Sequence, residues 1–152
     1  MRETGGEMAR LSFSEVKLGD TLGRIEHEVT QEVVDRAALA HLDFNPVHTD
    51  IDWAARAQVF GTPKTVAHGM FTMSLMTSLV MRPWYERGVR VVRIEAKLTK
   101  PVPVGQSLSC EGSVKELHPR GPGSDLVVVG VTAYDSEGDT VGVGSITVRL
   151  PA

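Results

Sequence analysis

Between positions 43 and 48 the chain reads Asp-Phe-Asn-Pro-Val-His, and Ala67-His68-Gly69-Met70 follows after an interval. Asp43 supplies a carboxyl group and His48 an imidazole, the side-chain types that most readily exchange protons with a substrate near neutral pH. Asn45 and Pro46 stiffen the stretch between them. Each residue alone has an ordinary reading: Asp43 as a turn cap, His48 as a packed or exposed polar group, Asn45-Pro46 as a turn pair. Taken together with the downstream His-Gly-Met, they favour acid–base catalysis. Gly69 falls where a long helix is expected to begin, so its N–H is among the donors a helix leaves unpaired, and the missing Cβ permits close approach. Tight packing is an equally physical use for that glycine. His68 suits either substrate contact or fixation of the helix start, and it stays outside the pair.

Other chemistries find less support. His48, Asp50, Asp52 and His68 invite a metal reading, but they do not match an H-x-x-x-H arrangement, and no metal is expected. No G-x-G-x-x-G or G-x-x-x-x-G-K-S/T loop occurs, so no dinucleotide, nucleotide or other cofactor is expected. Cys110, the single cysteine, has no disulfide partner and no Cys-His-Asn setting, and it reads as a small buried hydrophobe.

The elements that must position these residues follow from pattern. Thr30 is a candidate N-cap for a helix over Gln31 to His41, with Val34, Ala37, Ala38 and Leu42 on one stripe. Asp50 is placed to cap a short turn through Ile51 to Ala57. From Thr65 to Met81 the chain carries no Asp, Glu, Lys or Arg, and it stops at Arg82-Pro83. The run falls short of the about 20 apolar residues that span a bilayer, so it reads as a buried helix enclosed on several sides. Met70, Met73, Met76 and Met81 are read as core, and Thr77 as a helix hydroxyl bonded to its own backbone or one that orients the catalytic loop. Thr21 to Thr30 is a candidate short strand. Val92 to Lys100 alternates apolar and polar residues, the pattern of a strand with one wet face. Leu108, Cys110, Gly112 and Val114 continue at period two, and His118 to Ser124 makes a turn. Leu126 to Val131 is apolar on both faces, as in a central strand. The last strand changes phase between Val143 and Ile146, which predicts a β-bulge near Gly144 and Ser145. Helices first and a mainly antiparallel sheet afterwards give an α+β class.

The chain has 152 residues, 41% of them hydrophobic and 23% charged, which suits one packed domain. Residues 1–10 are expected to form a flexible arm and residues 11–152 the domain. A formal charge of -3 gives no general footprint for nucleic acid or an anionic membrane. The first ten residues contain no apolar run and resemble neither a secretory signal nor an anchor, so a cytoplasmic location is expected.

The Asp43-x-Asn45-Pro46-x-His48 segment and the downstream His68-Gly69-Met70 resemble the signature of the MaoC-like R-specific enoyl-CoA hydratase and dehydratase family. The resemblance covers most of the chain. It implies a single hotdog fold, in which an antiparallel sheet wraps a long central helix, and it implies a homodimer. The implied function is reversible hydration of trans-2-enoyl-CoA to R-3-hydroxyacyl-CoA in fatty-acid metabolism. Asp43 and His48 would be the acid–base pair, Gly69 the oxyanion-hole donor, and Asn45, Pro46 and Thr77 supporting residues. Such hydration needs a base for water, a proton source for the α-carbon and a donor for the charge on the thioester oxygen. A 3-hydroxyacyl-acyl-carrier-protein dehydratase would handle the same reacting atoms, and a non-catalytic acyl-binding hotdog subunit or a thioesterase would share the fold. Arg82, Arg87, Arg90, Arg93, Lys97 and Lys100 are candidate phosphate contacts or plain surface charges. One departure stands out: His41-Leu42 occupies the place where family members commonly carry Ser-Gly.

Overall fold

The computed structural model describes residues 8–152. Residues 1–7 of the expected N-terminal arm lie outside the described residues. Ala9 and Arg10 lend their carbonyl oxygens to the Arg87 guanidinium, at 2.9 Å and 3.5 Å.

Five strands, β1 (Thr21–Glu28), β2 (Arg90–Leu98), β3 (Ser107–His118), β4 (Leu126–Tyr134) and β5 (Thr140–Arg149), form one sheet in the order β1-β3-β4-β5-β2, with every neighbour antiparallel. The strand read as central, β4, occupies the middle. Four α-helices lie between β1 and β2: α1 (Gln31–His41), α2 (Pro46–Thr49), α3 (Ile51–Ala57) and α4 (Gly69–Met81). The α4 helix lies on the inner face of the curved sheet and touches all five strands. The chain is thus an α+β hotdog fold, as the sequence leads one to expect.

The core forms where α4 meets the sheet. Met76, Leu79 and Val80 bury themselves against Leu108, Cys110, Val127, Val129, Ile146 and Val148. Gly142 and Gly144 of β5 allow close packing here: a Cβ on the first would touch Leu98 and Thr72, and a Cβ on the second would collide with the Glu95 main-chain oxygen of β2 before it met Met76. The sheet and its neighbours cover α4 on several sides, as expected, and leave one narrow stripe open. Met70, Ser74 and Ser78 form an exposed stripe, and of the four methionines read as core only Met76 is fully buried.

The bulge on β5 lies at Val141 rather than near Gly144 and Ser145. Ala133 pairs with Gly142 while Tyr134 pairs with Thr140, and pairing with β4 is one-to-one from Gly142 to Arg149. The two glycines face the helix without side chains, so the sequence pattern was silent on their phase, and Val143 points to the other face. A second irregularity puts Val92 as an extra residue on β2, between Val91 opposite Val148 and Arg93 opposite Thr147.

At the front of the chain, Thr30 caps α1 as expected, its hydroxyl accepting from the Val33 N–H, and Val34, Ala37 and Ala38 are buried. The helix ends at Leu42, whose φ of 56° is left-handed and turns the chain into the Asp43 segment. Asp50 caps α3 by accepting from the Trp53 N–H at 2.8 Å.

Candidate functional site

Asn45 starts α2 by accepting the Val47 N–H on its side-chain oxygen, and Pro46 takes the first helical position, where a missing N–H costs nothing. His48 follows on this single turn. Its Nδ1 lies 2.7 Å from the Val66 carbonyl oxygen. A carbonyl only accepts, so Nδ1 carries a proton, and in the neutral ring Nε2 is then the nitrogen with the free lone pair, the form that can act as a base.

The carbonyl that sets this tautomer is itself held. Val66 donates its N–H to the Val47 oxygen, while Ala67 N–H to Val102 O and Val104 N–H to Thr65 O bind the flanking segment at 2.9 Å each. Gln31 links three parts of the site: its side-chain amide donates to the His48 carbonyl at 2.9 Å, and its side-chain oxygen accepts from the Thr65 hydroxyl.

Asp43 hangs from the end of α1 through its N–H to the Ala38 oxygen at 3.0 Å, and one carboxylate oxygen accepts the Asn45 N–H at 3.2 Å. The other stands 3.9 Å from His48 Nε2. That is too far for a direct hydrogen bond and close enough for both atoms to hold one water-sized oxygen. The two environments differ: the imidazole is 13% exposed and the carboxylate 50%.

His48 opens onto a cavity of about 430 Å³ whose wall includes Phe60, Gly69, Thr72, Leu98 and Val102. The Gly69 N–H, at the start of α4, has no hydrogen-bond partner among the described residues. A Cβ on Gly69 would strike the end of the Leu98 side chain. A larger hollow of about 660 Å³ lies over the sheet around Arg24, Glu111 and Gly130 and contains none of these groups, so chemistry rather than size marks the smaller one.

Asp43, Asn45, Pro46, His48 and Gly69 are therefore close together. Thr77 stands apart: its hydroxyl donates to the Met73 carbonyl at 2.9 Å, and the helix hydroxyl residue on the cavity wall is Thr72. Gln31, Thr65, Thr72, Phe60 and Leu98 escaped the sequence reading, as did the Val66 carbonyl. No local pattern marks a main-chain oxygen or a helix-start glutamine as part of a distant site.

Three of the candidate phosphate contacts are engaged with acids. Arg87 pairs with Glu15 at 2.8 Å, Arg93 with Glu95 at 2.7 Å, and Lys100 with Asp135 and Asp139 at 2.7 and 2.8 Å. Asp43, His48 and His68 bring one possible metal-ligand atom each within 4.8 Å of one another. The His48 and His68 rings are stacked, however, and lone pairs in two nearly parallel rings do not converge on one ion. Cys110 is fully buried, and burial pushes its thiol up to about 12, away from nucleophile chemistry. No helix among the described residues is long and apolar enough to cross a membrane.

Comparison with known proteins bears on the family and the fold. Residues 13–135 match the family described as MaoC like domain. A protein named 3-hydroxyacyl-thioester dehydratase Z, from Mycobacterium tuberculosis and Mycobacterium bovis, is 34% identical over 109 residues, which cover 68% of this chain and 70% of that protein. Among solved structures, an R-hydratase of Pseudomonas aeruginosa superposes with a TM-score of 0.80 at 23% identity, covering 91% of this chain and 84% of the other. The (R)-hydratase of A. caviae involved in PHA biosynthesis gives 0.78 at 24% identity, covering 90% and 98%.

Proposed function

The chain belongs to the MaoC-like hydratase/dehydratase family, and from that membership we propose that it reversibly hydrates trans-2-enoyl-CoA to R-3-hydroxyacyl-CoA. The observation that carries this reading is the 3.9 Å separation between His48 Nε2 and the Asp43 carboxylate, beside a cavity that Gly69 also lines.

A water between the two side chains gives a proton to His48 Nε2 as its oxygen adds to the β-carbon. The Asp43/His48 pair returns a proton to the α-carbon, so it ends with as many protons as it began with. Charge that builds on the thioester oxygen meets the Gly69 N–H, whose α4 dipole points the same way. The apolar wall made by Phe60, Leu98 and Val102 suits an acyl chain. Dehydration is the same path in reverse. The carrier in this reading is CoA, with acyl carrier protein the rival for the same reacting atoms. The working unit is a homodimer, which the exposed edge of β2 favours.

The test is a matched panel of enoyl-CoA, 3-hydroxyacyl-CoA and saturated acyl-CoA with the wild-type chain, D43N and H48A. We expect alkene hydration by the wild-type chain and a loss of about 100-fold or more in kcat for each variant, in folded protein. Wild-type turnover by either variant removes that residue from the pair. Release of free thiol without alkene hydration would instead make the chain a thioesterase.

A further inference from the structure

Both members of the acid–base pair rest on one residue that is neither in the Asp43–His48 segment nor on the cavity wall. His68, 2% exposed, sits at the N-terminal boundary of α4. Its Nε2 lies 3.0 Å from the Asp43 carbonyl oxygen, which can only accept, so Nε2 carries the proton. Its ring stacks on that of His48, with centroids 3.9 Å apart and planes 28° apart. A third imidazole, His41, meets His68 edge to face, with centroids 5.6 Å apart at 79°.

The stack carries a cost. Among the described residues, His68 Nδ1 and His41 Nδ1 are buried without a hydrogen-bond partner. A side chain serving only to fill this space would pack better without such an atom. What imidazole supplies at position 68 is an N–H at the far end of a small flat ring: phenylalanine offers the face without the donor, and glutamine the donor without the face.

We propose that His68 is a positioning residue for the acid–base pair. Its Nε2–H fixes the Asp43 main chain, its face sets the plane of the His48 ring, and His41 buttresses it from a second direction. Its kinetic consequence rests on the hydration reading above, whereas its placement does not.

Two measurements test it. With enoyl-CoA as substrate, H68F and H68Q should each lower kcat by about 10- to 100-fold, the range expected for a misplaced catalytic group. KM should change little, because His68 does not line the cavity. In the D43N background, adding H68F should lower the residual rate no further, since the geometry it maintains no longer matters. Wild-type kcat in both single variants, a change confined to KM, or losses that multiply in the D43N background would overturn the proposal. If neither variant folds, nitrogen-correlated NMR of the wild-type histidines at neutral pH decides. We expect the Nε2–H tautomer at His68 and the Nδ1–H tautomer at His48, and the opposite tautomer at either ring overturns the placement. This spectroscopic result stands whether or not the chain hydrates an enoyl thioester, so failure of the two readings can be told apart.

Discussion

Gly69 has two physical uses that the geometry allows to be separated. A methyl group there would collide with Leu98, whose flexible, half-exposed side chain can move away, so G69A should fold. It should nonetheless lose about tenfold or more in kcat/KM, because Leu98 is driven into the cavity and the methyl crowds the approach to the N–H. The double variant G69A/L98A distinguishes the causes: full recovery of kcat/KM assigns the glycine to packing, and continued loss assigns it to substrate approach. Leu42 makes a second case. It holds a left-handed φ of 56° at an exposed position, with no Gly to relieve the clash of Cβ with the backbone. This is the place where the resemblance leads one to expect glycine, so at position 42 the departure introduces strain. L42G should raise stability by up to about 1 kcal/mol, reduced by the greater freedom of glycine in the unfolded chain, and a thermal melt measures it. Asp43 and His48 were legible as candidates because a carboxyl and an imidazole fall within one short segment. The Val66 carbonyl and Gln31 were not, since their roles depend on which distant backbone lies beside them.

Among the elements, the ones with local determinants were the most legible. The α1 and α3 helices begin where Thr30 and Asp50 cap them, since a cap is a bond between residues three apart. The bulge of β5 was misplaced because glycines carry no apolar signal. The β4–β5 turn shows an interaction that no local pattern announced: Asp135, nearly fully buried, accepts from the Glu137 and Asp139 N–H groups and from Lys100. Burial pushes the Asp135 carboxyl up, but the Lys100 ammonium and the two N–H groups outweigh it and hold the group below the ordinary carboxylate range. A carboxyl lowered on folding contributes stability that is present above its unfolded value and is lost as pH falls through the folded one. Wild-type protein should therefore lose stability as pH drops below about 4, the ordinary value for Asp. D135A should show a smaller loss over that interval and should be less stable at pH 7 by about 2 kcal/mol, from the buried hydrogen bonds removed. Urea midpoints at several pH values measure both, and an acid slope unchanged in D135A would deny Asp135 this role.

At the scale of the whole molecule, the alternation of Val92, Ile94, Ala96 and Leu98 suggested a strand with a buried apolar face; the register keeps Ile94, Ala96 and Leu98 on one face, puts Val91 there in place of the bulged Val92, and does not support the burial. Ile94 lies opposite fully buried Ile146, yet Ile94 is 40% exposed and Leu98 42%. The cause is position: β2 is an edge strand, paired with β5 on one side only. An exposed apolar edge is unstable in isolation and is ordinarily covered by another strand. Leu98 also lines the candidate cavity, so whatever covers the edge also closes that wall. A second copy of the chain fits both needs, since an antiparallel edge can pair with itself about a two-fold axis. We therefore expect a dimer by light scattering at micromolar concentration, and a turnover rate per chain that falls on dilution below the dissociation constant. I94K places a charge in the middle of the edge without touching the acid–base pair. It should shift the chain toward monomer and lower kcat/KM in proportion to the monomer fraction. A wild-type monomer with full turnover at every concentration, or an I94K monomer as active as the wild-type chain, would show that one copy closes its own site.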